Sequence, residues 1–270
     1  MTLPLIVSSI AWPAAELDAA LDHATSLGLD GVEIAPFSLF GTWNVSASDL
    51  DRLAAELRAR GLRCLALQGI LFRAESVELF ASAESRAALA IQLQRVAAMA
   101  GRLGAQACVY GAPRQRDPAN LSLEEARAIA MEFFHGVGSY FASEGSALAI
   151  EANARHYGCR FLTTTAEAAT FVAQVATPGV GLQIDTGTIF LEAEPPSVLH
   201  LAAPLAVHAH VSEPDLSPLG TSGAAHEPVA AALRESGYRG AVSIEMRSGP
   251  AWRSAVTQAV QLVRSTYLTV

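Results

Sequence analysis

Short apolar runs of buried-strand length alternate with amphipathic or alanine-rich stretches from one end of the chain to the other, eight times over. The runs occupy residues 5–9, 31–34, 64–67, 107–110, 147–151, 180–185, 205–210 and 241–245. Between and after them lie helical patterns at 14–27, 48–60, 82–103, 123–144, 165–176, 196–202, 227–236 and 251–270. Strands that are apolar on both faces belong in a parallel sheet covered by crossover helices. Gly28, Gly61, Gly104, Gly145 and Gly237 stand where these helices should stop. Ser122-Leu-Glu-Glu125 reads as a capping box, and Ser48 with Asp51 three residues on is a second start signal. Eight strands alternating with eight helices predict a (β/α)8 TIM barrel, an α/β fold forming a single domain over residues 1–270. The length fits, because about 250 residues is usual for this architecture. The competitor, a doubly wound sheet, usually carries a glycine-rich turn after its first strand. Here Ser8-Ser-Ile-Ala-Trp-Pro13 has no glycine.

The chain is 51% hydrophobic and 16% charged, with a net charge of −8 and no run of basic residues. A nucleic-acid enzyme needs a basic footprint to neutralise phosphates, so no nucleic-acid partner is expected. Cys64, Cys108 and Cys159 are too scattered for a disulfide framework, and the first two lie inside apolar runs as reduced core residues. The segment Met-Thr-Leu-Pro-Leu-Ile-Val has no basic stretch before its apolar residues and does not read as a signal peptide. No apolar run reaches membrane-spanning length. The expectation is a soluble, cytoplasmic protein with no membrane partner.

Four successive strand runs in the second half end in groups able to bind a metal or move a proton: Glu151, Asp185, His210 and Glu245. A buried strand gains nothing from an unpaired terminal carboxylate. In a parallel barrel, active sites form where strands end, from side chains of several strands. Any one of these acids alone would be read as an ion pair or a loop cap. Together they predict a divalent-metal site. Three carboxylates and one imidazole favour a hard ion, Mn2+ first, with Mg2+, Co2+ and Zn2+ the other candidates. His208 shares a strand face with His210, one layer deeper, as a substrate contact or a hydrogen-bonded interior histidine. Glu213, three residues past His210, either orients an imidazole or caps its loop. Glu33 at the second strand end is a substrate contact or the partner of a barrel arginine. Gln68 at the third is a candidate donor to a hydroxyl. Arg116 follows the fourth, with Arg114 and Arg155 nearby, where guanidinium groups bind carboxylate or phosphate or are ordinary loop arginines.

These residues carry a resemblance. The order Glu, Asp, His, Glu on strands five to eight is similar to that of the sugar phosphate isomerase/epimerase superfamily, whose barrel is xylose isomerase-like. The segments Gly31-Val-Glu-Ile-Ala-Pro36, Arg95 to Gly104, Tyr110 to Arg116, Asp185-Thr-Gly187, His208-Ala-His-Val-Ser-Glu213 and Gly237 to Glu245 also resemble it, which covers most of the chain. In its ketose 3-epimerase branch the first and last glutamates bind the metal and exchange the substrate proton, which by position implies catalytic roles for Glu151 and Glu245, through an enediolate. The chain departs from that branch at three points. Thr188 replaces a substrate histidine, Leu216 replaces an arginine, and Asn153-Ala-Arg-His-Tyr157 replaces a stretch with a further glutamate. The resemblance therefore implies a metal-dependent isomerase or epimerase acting on a keto-sugar or related polyol that is less polar at that end or closed into a ring. A metal-dependent lyase or dehydratase on a keto-inositol or keto-sugar is the alternative. An AP-endonuclease-like phosphodiesterase is disfavoured, because none of the seven histidines (positions 23, 135, 156, 200, 208, 210 and 226) ends strands two to four. A metal-binding barrel without catalysis is a third reading, and a homo-oligomer stays open.

Overall fold

In each apolar run, alternate side chains must point to opposite faces of the sheet, and that period decides which groups enter the barrel. Val32 and Ile34 join the large core against the helices, so Glu33 between them points inward. The same logic holds for Leu148 and Ile150 around Ala149, Leu182 and Ile184 around Gln183, and Ala209 and Val211 around His210. The computed structural model describes residues 3–268 and shows eight strands: β1 (Leu5–Ser8), β2 (Gly31–Ile34), β3 (Arg63–Leu67), β4 (Ala107–Tyr110), β5 (Ala147–Glu151), β6 (Val180–Asp185), β7 (Ala206–Val211) and β8 (Ala241–Ile244). All pair in parallel, each with its sequence neighbours, and β8 closes on β1 to complete a single-domain TIM barrel.

The helices are α1 (Leu17–Ser26), α2 (Pro36–Phe40), α3 (Ala47–Ala59), α4 (Ala83–Leu103), α5 (Leu123–Ser143), α6 (Thr165–Val175), α7 (Thr186–Leu191), α8 (Val198–Ala202), α9 (His226–Glu235) and α10 (Trp252–Thr266). The expected capping box closes at α5, with Ser122 and Glu125 each bonding the other's backbone N–H. At α3 the cap is Ser46, two residues before the expected Ser48. Gly104 ends α4 in the left-handed conformation that a side chain resists. Two short helices, α2 and α7, escape the periodicity because neither spans two full turns. The expected last helix runs to 270, and its positions 269 and 270 lie outside the described residues.

The barrel floor is built from small and apolar groups. Ile6, Leu65 and Ala241 form one cluster, and Ala66, Ala107 and Ala149 with Val207 form another. Register slips by one residue at Val32/Glu33 and at Leu182/Gln183, in each case just before an inward polar residue. All three cysteines are buried and free. Among the described residues no helix is long and apolar enough to cross a membrane.

Candidate active site

The strand ends place Glu151, Asp185 and His210 so that one potential ligand atom from each lies within 4.8 Å of the others. His210 Nδ1 stands 3.1 Å from Glu245 Oε2 and 3.5 Å from Glu151 Oε1. Despite that proximity, Nδ1 is buried and makes no hydrogen bond of acceptable geometry. An orphaned imidazole nitrogen facing three convergent carboxylates fits a divalent cation, the group that would use that lone pair and offset the negative charge. Asp185 accepts from Ser212 Oγ and, at 2.8 Å, from the Thr188 N–H, so it also caps α7. Glu151 Oε2 accepts from Asn153 Nδ2 at 2.8 Å. Gly111 faces that carboxylate so closely that an added Cβ would overlap Glu151 Oε2.

A second polar layer lies one step deeper. Both carboxylate oxygens of Glu33 are 3.0 Å from His210 Nε2. Glu33 also accepts from Ser243 Oγ at 2.7 Å and lies 3.4 Å from His208 Nε2. The two imidazoles meet edge to face at 5.3 Å. Gln183, in register with both Glu151 and His208, is 1% exposed, and neither of its amide atoms has a partner. Burial opposes ionisation of Glu33, but His210 and His208 overcome it and hold its carboxyl far below the usual range. Burial likewise disfavours charged His210, yet Glu245 and Glu33 raise its pKa well above 6.5. Burial and the charge on Glu151 push Asp185 up. Burial pushes Glu245 up to about 7; His210 pulls it down, while Glu151 and Asp185 add to the rise.

The other residues singled out from the sequence fall in different places. Glu33 and His208 lie beneath the metal set, not at its rim. Gln68 is 6% exposed and donates to Ser8 Oγ. Arg116 is 1% exposed; its guanidinium donates to the carbonyl of Glu151 at 2.6 Å and to Asn153 Oδ1 at 2.9 Å. Glu213 turns away from His210: it accepts from Ser222 N at 2.7 Å and pairs with His226 Nε2 at 3.0 Å, which fixes the loop after β7. Thr188 is buried against the Ala152 carbonyl, whereas Leu216 lines the cavity above the metal set. Sequence reasoning passed over Gln183 and Ser243, which share strand faces with Asp185 and Glu245, and over Arg247, two residues past Glu245 in the same cavity. It also passed over the clamp across the mouth. His156 meets Asp215 at 2.9 Å, and the Asp215 N–H donates to Tyr157 Oη at 2.8 Å. Asp215 and Leu216 both take positive φ, at 60° and 53°, a strained pair held next to the site. A larger cavity of about 770 Å³ beside α5 and α6 contains none of the strand-end acids.

The sequence matches the family described as xylose isomerase-like TIM barrel over residues 21–266. The chain belongs to that family. Its fold is similar to a D-psicose 3-epimerase crystallised with D-fructose, at 19% identity, TM-score 0.82 and 100% coverage of both chains. It is similar to the D-psicose 3-epimerase of Clostridium cellulolyticum H10 with D-tagatose, at 16% identity, TM-score 0.80 and 100% coverage of both. It is also similar to the 3-keto-D-glucoside 4-epimerase YcjR of E. coli, at 16% identity and TM-score 0.76, covering 96% of this chain and 99% of that one. No curated protein matches the sequence.

Three outcomes follow for this xylose isomerase-like barrel. Glu33→Gln removes the charge behind His210 and should weaken Mn2+ binding about 10-fold or more, as loss of a ligand-orienting carboxylate does; titration calorimetry giving wild-type affinity would refute it. Gly111→Ala should displace the Glu151 carboxylate and lower Mn2+ affinity while leaving the circular dichroism spectrum unchanged. In the metal-free protein Glu245 releases its proton near 7 when folded and near 4.5 when unfolded. The folded state thus holds the extra proton between those values, and stability falls as pH rises through that window. His210 adds to the loss at higher pH, since its stabilisation is complete below 6.5 and disappears as pH climbs through its raised folded value. Glu33 acts oppositely at the acid end, its stabilisation being present above 4.5 and lost below. The metal-free Tm should therefore drop from about pH 5 to about pH 7.5, and Mn2+ should raise it more at the higher pH. A Tm that climbs across that window without metal contradicts the assignment.

Proposed function

We propose that this protein is a divalent-metal-dependent isomerase or epimerase that moves a proton on a keto-sugar or related polyol. The observation that carries the reading is the convergence of Glu151 and Glu245, from strands on opposite flanks of β6 and β7, on the same buried imidazole nitrogen. Two carboxylates aimed at one point from two sides form an acid–base pair with a gap between them. In the metal-free protein Glu245 is raised to about 7, a range that suits general acid–base work, and a bound cation would lower it and favour the charged form that accepts a proton. One glutamate removes a proton from the carbon beside a carbonyl, and the other returns one to that carbon or its neighbour. Glu151, Asp185, His210 and Glu245 would hold the metal; Mn2+ is the first candidate, then Mg2+, Co2+ and Zn2+. When bound, it supplies Lewis-acid polarisation of ligand oxygens. The chain contains no lysine, so no side-chain imine can activate the carbonyl. Arg247 donates to a ligand oxygen from the β8 loop. Its backbone N–H bonds the Leu216 carbonyl at 2.7 Å, which sets a guanidinium-bearing residue beside the position where the resembled branch has its arginine. Arg116, through Asn153 and the Glu151 carbonyl, positions Glu151 instead of touching the sugar. The epimerase names of the structural neighbours support this class of reaction.

The runner-up is a lyase, in which the same proton removal is followed by loss of a neighbouring hydroxyl. Leu216 at the cavity wall favours it to the extent that an apolar wall suits a ring-closed substrate. Product analysis separates the two, because elimination yields a dehydrated product and epimerisation an isomer of equal mass.

Glu151→Gln and Glu245→Gln keep size but remove the base and one ligand charge. With saturating Mn2+, each should lower exchange of the substrate's carbon-bound hydrogen with heavy water about 100-fold or more. Wild-type exchange in either variant at restored metal occupancy would withdraw the proton-transfer role from that glutamate and leave it a ligand. No exchange even in the wild-type enzyme during turnover would point to a hydride shift.

A further inference from the structure

The metal-side cavity, about 300 Å³, opens beside a second cavity of about 590 Å³, and the two share Gly111, Pro113 and Tyr157 in their walls. Their chemistry differs sharply. The metal side is lined by five acids, Glu151, Asp185, Glu213, Asp215 and Glu245, against one arginine, Arg247. The second cavity, formed by the loops after β3 and β4, has no carboxylate in its lining and has two arginines, Arg73 and Arg114. Both side chains are exposed, and among the described residues neither makes an ion pair or a side-chain hydrogen bond; the Arg73 guanidinium lies 5.7 Å over the Phe72 ring, a contact that leaves its N–H donors free. Seven of the chain's eighteen arginines are in salt bridges with Asp or Glu, so an arginine without an ion pair is ordinary here; what sets this wall apart is two guanidiniums with no carboxylate among them, next to a cavity lined by five acids. Arg73 is also held at a φ of 57°, a conformation a non-glycine side chain resists. Two of the five large apolar side chains left exposed, Phe72 at 52% and Tyr157 at 41%, line this same cavity.

We infer that the substrate is an anionic sugar derivative, its reacting carbons at the strand-end acids and its carboxylate or phosphate between Arg73 and Arg114. This deepens the proposed function and rests on it for the reacting end only. The physical reason is division of charge. An anionic group placed among the metal-side carboxylates would be repelled, whereas two planar guanidiniums with free donors match an oxyanion in shape and charge. Phe72 and Tyr157 supply faces against which the sugar carbons between the two ends can pack. Arg73 and Arg114 are distant in sequence from every strand-end acid, so the anion site can be removed without touching the metal set.

The test uses the Mn2+-loaded full chain in calorimetric titrations. The probes are D-fructose, D-fructose 6-phosphate, D-fructose 1-phosphate, D-fructuronate and inorganic phosphate. At least one charged ketose should bind about 10- to 100-fold tighter than D-fructose, the range expected of charge-assisted hydrogen bonds. The phosphate and carboxylate arms show which anion the site takes. The double variant Arg73→Gln, Arg114→Gln should bring that ketose down to the level of D-fructose and abolish binding of inorganic phosphate, with Mn2+ affinity unchanged. Equal binding of charged and neutral ketoses overturns the inference, as does retained selectivity in the double variant. Failure of every anionic probe, inorganic phosphate included, overturns it too. Failure of the metal reading shows separately, as Mn2+ affinity that ignores Glu151→Gln, and inorganic phosphate still reports on the arginines in that case.

Discussion

One imidazole, His210, is held between four carboxylates, and the rest of the barrel is arranged around making that tolerable. Glu33 grips one ring nitrogen from below; Glu151 and Glu245 face the other from the mouth, with Asp185 at their side. Like charges this close and this buried cannot all ionise without a cation. In the metal-free protein the protons on Glu245 and His210 supply part of that compensation. The arrangement is therefore a loaded one: stable when protonated or metallated, strained otherwise. Glu33 differs from the other three in lying wholly inside, where His208, His210 and Ser243 saturate its oxygens. It holds the imidazole so that Nδ1, not Nε2, faces the mouth.

Such a site cannot rest on mobile loops, and the loops here are tied down with buried polar groups. Arg116 sinks its guanidinium among carbonyls of the β4 and β5 ends and reaches Asn153, which in turn holds Glu151. Glu213, His226 and Tyr267 form a chain linking the β7 loop, α9 and the last helix, with His226 Nδ1 2.8 Å from Tyr267 Oη. The positive-φ pair Asp215 and Leu216 is over-determined by His156, Tyr157 and Arg247. Two of these networks join loops from two or three strand ends, and the third ties the β7 loop to α9 and the end of α10. The cost of burying most of these polar atoms is offset by partners; among the described residues the atoms left without one are both amide atoms of Gln183, His208 Nε2, His210 Nδ1, Arg116 Nε and Tyr110 Oη, most of them beneath or beside the strand-end acids.

What the sequence disclosed follows from where periodicity carries information. A two-residue period and an eightfold alternation are enough to place all eight strands within a residue or two, and a strand-end acid stands out because nothing else explains it. The convergence of Glu151, Asp185 and His210, with Glu245 beside the imidazole, was legible for that reason. Of the deeper layer only His208 was, from the strand face it shares with His210. Glu33 looked like a rim residue because it sits near a strand end, but a register slip beside it on β2 sets its layer, and a slip is invisible in a string of letters. Arg116 looked like a ligand contact because charged loop residues near a mouth resemble each other, while of the two readings open for Glu213 the structure shows the loop cap, with His226 as the imidazole it holds. Only the fold shows that one spends its donors on carbonyls and the other on a distant histidine. Arg73 carried no pattern at all: its significance lies in what is missing around it.

The two-ended cavity bears on how such a barrel divides labour. Only interactions stronger in the transition state than in the ground state speed the chemical step, whereas binding of a remote group can be used to fix the reacting carbons in place. The metal-side acids are few, buried and mutually constrained, which leaves little freedom to vary them without losing the ion. The exposed positions of the loops after β3 and β4, such as Arg73 and Arg114, carry no such constraint, unlike Gly111 and Arg116 on the second loop, which abut Glu151. Under the proposed function, a barrel of this kind can keep one proton-transfer end and change what it recognises by altering exposed side chains on those loops. In this chain the loops after β3 and β4 present guanidinium and aromatic groups where the strand-end cavity presents carboxylates, so the proposed selection of substrate is separated in space, and in charge, from the proposed chemistry.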